Sequence, residues 1–188
     1  AQDEFVILCV ARFQSVKNHH GLVAAFSQLA MQEPKCRLVL AGSGPLEQDV
    51  RRQCGDLKVE DRVLFLGEVP YEKLPAVYAA SDVSVIPSLY ESFCFAALEA
   101  MASGLPLVVT DTDWVPHLIG GDQGGRVVSK DRPAEMARAF MELLSSADLR
   151  RQMGERNRRE AVEKWGWTSS AQKLLALYES KVRGKPIS

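Results

Sequence analysis

The stretch PSLYESFCFAALEAMASGLP, from Pro87 to Pro106, constrains the fold of this chain more than any other. Two short apolar runs frame it, Asp82-Val-Ser-Val-Ile86 before and Leu107-Val-Val109 after. Gly104 and Pro106 stop the small-residue helical segment between them. Strand, polar loop, helix and strand, in that order, make a βαβ unit. Ligands of such units bind beyond the carboxyl ends of the strands, where the loop enters the helix. Glu91 falls in that loop, and Glu99 falls further along the segment.

A helix start presents unpaired N–H groups and partial positive charge, which favour an anionic or polar ligand. Carboxylates accept hydrogen bonds from hydroxyls. A nucleotide sugar offers phosphates for the first and hydroxyls for the second. If every intervening residue were helical, Glu91 and Glu99 would stand ~12 Å apart along the axis. That length suits a grip on two different rings. The same eight steps leave the side chains ~80° apart around the helix. Both can face one ligand only if Glu91 lies at or before the first turn. The letters SLYE also fit a capping box, with Ser88 as N-cap and Glu91 as its reciprocal partner. Glu99 would then be a solvated helix residue. Spacing alone leaves both readings open.

The segment resembles the signature of the retaining GT-B glycosyltransferases known as glycosyltransferase group 1. The matching residues are Pro87-Ser88, Glu91-Ser-Phe93-Cys94, Leu98-Glu-Ala-Met-Ala102 and Gly104-Leu-Pro106-Leu-Val108. Cys94 stands where that family has Gly, and Leu107 replaces its first Val. The resemblance implies that Glu91 holds the hydroxyls of the donor sugar and Glu99 the ribose of the nucleotide. Backbone amides of Phe93, Cys94 and Phe95 would lie near the sugar and phosphates. A Gly permits close backbone approach and positive φ, so Cys94 bears directly on that geometry.

Upstream, Phe5-Val-Ile-Leu-Cys-Val10 is a continuous apolar run, as expected of a strand buried on both faces. Arg12 and Lys17 follow, before a helical pattern at Leu22, Val23, Phe26 and Leu29. Two cations between a buried strand and a helix start can neutralise a diphosphate, Arg as a fork and Lys as a point charge. On their own they read more readily as ordinary surface cations. In the family this place reads Gly-Arg, then Lys-Gly, and the two cations bind the donor diphosphate. Here Ala11 and Asn18 replace both glycines and the cations are kept. His19 and His20 read as surface residues at the helix start.

Cys36 to Ala41 is a second strand, followed by Gly42-Ser-Gly-Pro45 and a helix through Leu46, Val50 and Cys54. Glu47 stands where a dinucleotide fingerprint needs its third Gly, so a tight turn is the better reading. Val63 to Gly67 is a third strand. By the resemblance, the backbone at Val69 meets the nucleobase. Tyr71 to Ala80 has helical spacing at Leu74, Val77 and Tyr78. Thr110 to His117 reads as a polar loop in which Trp114 either shapes a pocket or caps the core. His117, aligned with a family glutamate, reads as a hydrogen-bonded loop residue. Gly124 to Val128 is a strand, and Arg132-Pro-Ala opens a helix with Pro near its first position. Met136, Phe140, Leu143 and Leu144 form its stripe. Asp148 to Lys164 reads as a solvated helix. Trp165-Gly-Trp167 breaks it, and Thr168 is the expected cap of a last helix bearing Leu174, Leu175, Leu177 and Tyr178.

The 188 residues, 46% hydrophobic and 25% charged, suit one globular domain. A net charge of −1 gives no footprint for nucleic acid. No apolar run approaches the ~20 residues that span a bilayer. Cys9, Cys36, Cys54 and Cys94 show no ligand spacing, which suggests reduced thiols and a cytoplasmic setting. The opening Ala-Gln-Asp, without Met, suggests a processed or shortened chain.

About six strands alternating with helices argue for an α/β fold, a Rossmann-like doubly wound parallel sheet. The resemblance covers nearly all of residues 1–188 and implies the C-terminal, donor-binding half of a GT-B enzyme, its N-terminal acceptor domain absent. The implied function is transfer of a sugar, with retention, from a nucleoside-diphosphate sugar to an acceptor glycan or lipid. No metal or other cofactor is expected, and Asp111-Thr-Asp113 is a weak metal motif. Any membrane association would be peripheral, at the inner face and through the missing domain. An epimerase or phosphorylase of similar fold fits the Glu91/Glu99 motif less well. A non-catalytic nucleotide-sugar-binding or interaction domain is the alternative, supported by Cys94, His117 and the glycines missing at 11 and 18.

Overall fold

The computed structural model describes residues 4–112 and 114–182. Its strands are β1 (Phe5–Val10), β2 (Cys36–Ala41), β3 (Val63–Gly67), β4 (Val83–Ile86), β5 (Leu107–Thr110) and β6 (Gly125–Val128). All pairings are parallel, in the order β3-β2-β1-β4-β5-β6. The order reverses between β1 and β4, so the loops leaving those two strands diverge and open a crevice. The doubly wound sheet expected from the alternation of elements is the one observed.

Helices cover both faces: α1 (His19–Gln32), α2 (Glu47–Asp56), α3 (Leu74–Ala79), α4 (Phe95–Ala102), the short α5 (Val115–Leu118), α6 (Pro133–Ser145), α7 (Ala147–Trp165) and α8 (Trp167–Val182). The unbroken apolar run of β1 is explained by this layering. Ile7 and Cys9 pack into one core cluster with Leu22, Phe26 and Phe140, whereas Leu8 packs into the other with Ala97, Met101 and Tyr78. A half-exposed strand would have alternated.

Several expectations need correction. His19 is not a surface residue: it is 3% exposed and stacks on Phe13 with ring centroids 4.2 Å apart. The segment from Asp148 to Lys164 is not solvated all round, since α7 buries Met153, Gly154, Asn157 and Ala161 against the domain. Its crossing is close: a Cβ on Gly154 would lie 2.0 Å from the Gly104 carbonyl oxygen. Asn157, fully buried, donates from Nδ2 to the carbonyls of Leu105 at 2.8 Å and Gly124 at 2.7 Å. The lone Gly and Asn among charges were the signs of this contact. Thr168 does not cap α8, which already begins at Trp167, and Leu174, Leu175, Leu177 and Tyr178 are exposed along it. Among the described residues no helix is long and apolar enough to cross a membrane.

Candidate functional site

The site is built from two loops at the crevice, residues 11–18 after β1 and 87–94 after β4. The first is held from behind. Ala11 N–H donates to the Ala41 carbonyl and Phe13 N–H to the Ser43 carbonyl, both at 3.0 Å. Gly42, at φ 138°, makes this possible, because a Cβ there would sit 2.1 Å from the Ala11 carbonyl oxygen. Gly42-Ser-Gly44 is therefore the tight turn expected, and its glycines serve backbone packing. Asn18 replaces a family glycine yet adopts the left-handed conformation, φ 50°, which Asn tolerates. Its side chain also caps α1, accepting from Gly21 N–H at 3.2 Å.

The two loops are tied together. Leu89 N–H donates to the Val16 carbonyl at 2.8 Å. Beside that bond, Lys17 Nζ donates to Glu91 Oε1 at 2.5 Å, forming an ion pair. Ser88 Oγ donates to the same oxygen at 2.8 Å, and Thr110 Oγ1 in turn donates to the Ser88 carbonyl at 2.5 Å. Glu91 is 8% exposed, and this set of donors explains how a carboxylate can be buried there.

The capping-box reading of SLYE fails. The helix does not begin until Phe95, so Ser88 is no N-cap and its hydroxyl meets a side chain instead of a backbone N–H. Glu91 thus precedes the first turn, the condition set for both glutamates to face one ligand. Cys94 is the N-cap residue and lies in the left-handed region, φ 59° and ψ 74°, where the family's glycine is at ease. Burial, then the Glu91 carboxylate, pushes its thiol up to about 12. Burial and the nearby Cys94 push Cys9 up to about 12 as well, so both thiols are neutral at physiological pH.

Two adjoining cavities lie at the carboxyl edge of the sheet, and a third runs along α4 toward α7. One of about 280 Å³ is lined by Lys17, Ser88, Glu91, Phe93, Cys94 and Phe95. A second, about 350 Å³, shares Val10 and Ala11 with it and adds Arg12, Glu68 and Val69. The third, about 660 Å³, shares Phe93 and Phe95 with the first and contains Glu99. The eight candidate residues are spread over these three cavities, none of which holds both Glu91 and Glu99; Arg12, Phe93 and Phe95 are exposed, and Glu91 and Lys17 are paired. Glu99 is not the freely solvated residue of the alternative reading: it is half-buried on α4, and Tyr78 Oη donates to its Oε2 at 2.9 Å.

Sequence reasoning missed Ser88 and Thr110 as supports of Glu91, and Tyr78 as partner of Glu99. Tyr78 lies 21 residues from Glu99, too far for any local pattern to join them. Trp114 packs edge-on against Trp165, centroids 5.7 Å apart, and so caps the core. His117 is exposed on α5 and, among the described residues, its side chain makes no hydrogen bond, unlike the bonded loop histidine expected. Asp113, half of the Asp111-Thr-Asp113 motif, lies outside the described residues.

Residues 1–160 match the sequence profile of the family described as Glycosyl transferases group 1. The chain is 35% identical to D-inositol 3-phosphate glycosyltransferase of Corynebacterium kroppenstedtii, over 96% of this chain and 42% of that protein. Sucrose-phosphate synthase of Thermosynechococcus elongatus superposes with a TM-score of 0.87 at 29% identity, covering 98% of this chain and 47% of that one. HepE of Anabaena, crystallised with UDP, superposes with a TM-score of 0.87 at 23% identity, covering 95% of this chain and 49% of that one. The chain thus spans less than half the length of these relatives. Its six-stranded all-parallel sheet is the Rossmann-like fold found in these GT-B neighbours.

Proposed function

The chain belongs to the group 1 glycosyl transferases, and from that premise we propose that it is the donor-binding half of a retaining glycosyltransferase of hexosyltransferase type. Its substrate would be a nucleoside-diphosphate sugar. The carrying observation is the Lys17–Glu91 pair, 2.5 Å long, which joins the loops after β1 and β4 where the strand order reverses. A cation and a buried carboxylate side by side suit a diphosphate and a sugar hydroxyl side by side.

In this reading Arg12 and Lys17 stabilise the diphosphate as it departs with growing charge, a role that needs no metal ion. Glu91 orients the sugar, and Ser88 keeps its carboxylate in place. Glu99 accepts from the ribose, the backbone at Val69 meets the base, and the amides of Phe93, Cys94 and Phe95 approach the sugar and phosphates. HepE, crystallised with UDP and with UDP-glucose, supports this ligand class. The acceptor, a glycan or lipid, would be held by a preceding domain, for which the greater length of the relatives leaves room. The free thiols suit the cytoplasm, with any membrane contact made peripherally through that other domain. Cys94 favours a second reading, a binding domain without turnover, because it lines the cavity at a position where the family has Gly.

Titration calorimetry of the 188-residue chain with UDP, GDP and ADP tests the proposal. One of them should bind, no sugar should be turned over by this chain alone, and Lys17→Met should weaken binding roughly tenfold to a hundredfold. Glu91→Ala should weaken chiefly the contribution of the sugar. Failure of all three nucleotides to bind would refute the reading. Assay of the full-length protein on a panel of donors separates an enzyme from a binding domain.

A further inference from the structure

Glu99 is held by fewer partners than Glu91. Among the described residues it has no ion-pair partner, and its Oε1 makes no hydrogen bond. It lines two cavities, so its carboxylate has space in which to change rotamer. One group prevents this. Tyr78, on α3, is 1% exposed, and its hydroxyl lies 2.9 Å from Glu99 Oε2 and 3.3 Å from the Ala96 carbonyl oxygen. A phenol has a single proton to donate, and the shorter, charged acceptor takes it. The tyrosine ring is itself locked in the core cluster with Leu8, Ala97 and Met101. Fixing a glutamate on such an anchor removes rotamer freedom before the ligand arrives.

We propose that Tyr78 is a positioning residue for the nucleoside end of the site: it holds Glu99 Oε2 so that Oε1 faces the ribose hydroxyls. This rests on the donor reading above and adds a residue to it. The geometry assigns Tyr78 no contact with the nucleotide, so its effect must pass through Glu99 and depend on the ribose hydroxyls.

The test is calorimetry of the 188-residue chain with whichever of UDP, GDP or ADP binds, and with the 2′,3′-dideoxy form of that nucleotide. Tyr78→Phe should weaken the ribonucleotide about tenfold, the worth of one hydrogen bond to a charged group, and leave the dideoxy form unchanged. In a Glu99→Ala background, Tyr78→Phe should have no further effect. Unchanged affinity, equal weakening of both forms, or a further loss in that background would overturn the role of Tyr78 while leaving the donor reading intact. No binding by the unaltered chain would overturn both. A crystal structure of the unaltered chain with the nucleotide gives a readout independent of variant folding. Tyr78 Oη must remain on Glu99 while Glu99 meets the ribose, and any other arrangement refutes the proposal.

Discussion

His19 makes a quantitative prediction about acid stability. Its ring is buried at the start of α1, stacked 13° from parallel on Phe13, and among the described residues neither ring nitrogen has a partner. Burial, then the neighbouring charges of His20 and Lys17, lowers its pKa from 6.5 to about 4. The unfolded chain therefore binds a proton on His19 at a pH where the folded chain does not. The stabilisation is complete above pH 6.5, falls between about 6.5 and 4, and is gone below. That difference in pKa corresponds to about 3 kcal/mol in full, of which ~2.5 is lost between pH 7.5 and 4.5. With a urea slope of ~2 kcal/mol/M for a chain of this size, the midpoint should drop by roughly 1 M over that interval. His19→Phe keeps the stacked ring without the titrating nitrogens and should abolish that share of the drop. Urea melts of both proteins at the two pH values make the comparison, and the difference between them cancels the carboxylates common to both. Glu135, held near 2 chiefly by its hydrogen bond from the Ser129 backbone N–H, loses its contribution as pH falls from 4.5 through 2, below the interval. Identical pH responses of the two proteins would refute the burial argument.

Two substitutions probe the backbone around the site. Cys94 pays the left-handed penalty at φ 59°, so Cys94→Gly relieves ~1 kcal/mol of strain while losing a similar amount of thiol burial. It should change stability by less than ~1 kcal/mol. Cys94→Ala keeps the strain and loses the thiol, so it should melt below Cys94→Gly, the reverse of helix propensity, and the opposite order in thermal denaturation would refute the strain. Asn157→Ala removes both donors to the Leu105 and Gly124 carbonyls and should cost ~2–4 kcal/mol in chemical denaturation. A loss below ~1 kcal/mol would show that water replaces the amide.

Much of this protein was legible in the order of its residues because the signals are local. The runs Phe5–Val10 and Cys36–Ala41 coincide with β1 and β2 residue for residue, the first because a strand covered on both faces needs unbroken apolar side chains, the second with Arg37 as its one polar residue, partly exposed. Glu91, Glu99, Arg12 and Lys17 could be named from their places at strand ends and within one signature. Local patterns could not say where α4 begins. SLYE fits a cap as well as a loop, and only the left-handed Cys94, with the helix starting after it, decided the matter. They also missed the burial of His19 and one face of α7, because a polar residue reveals its neighbours only when distant strands and helices are folded against it. The pairings at the candidate site, Lys17 with Glu91 and Tyr78 with Glu99, span 74 and 21 residues. The linear chain specified which groups are present and on which elements they sit. The pairing of β1 with β4 brought Lys17 to Glu91, and the packing of Tyr78 beneath α4 brought it to Glu99, since only tertiary packing carries information over such separations.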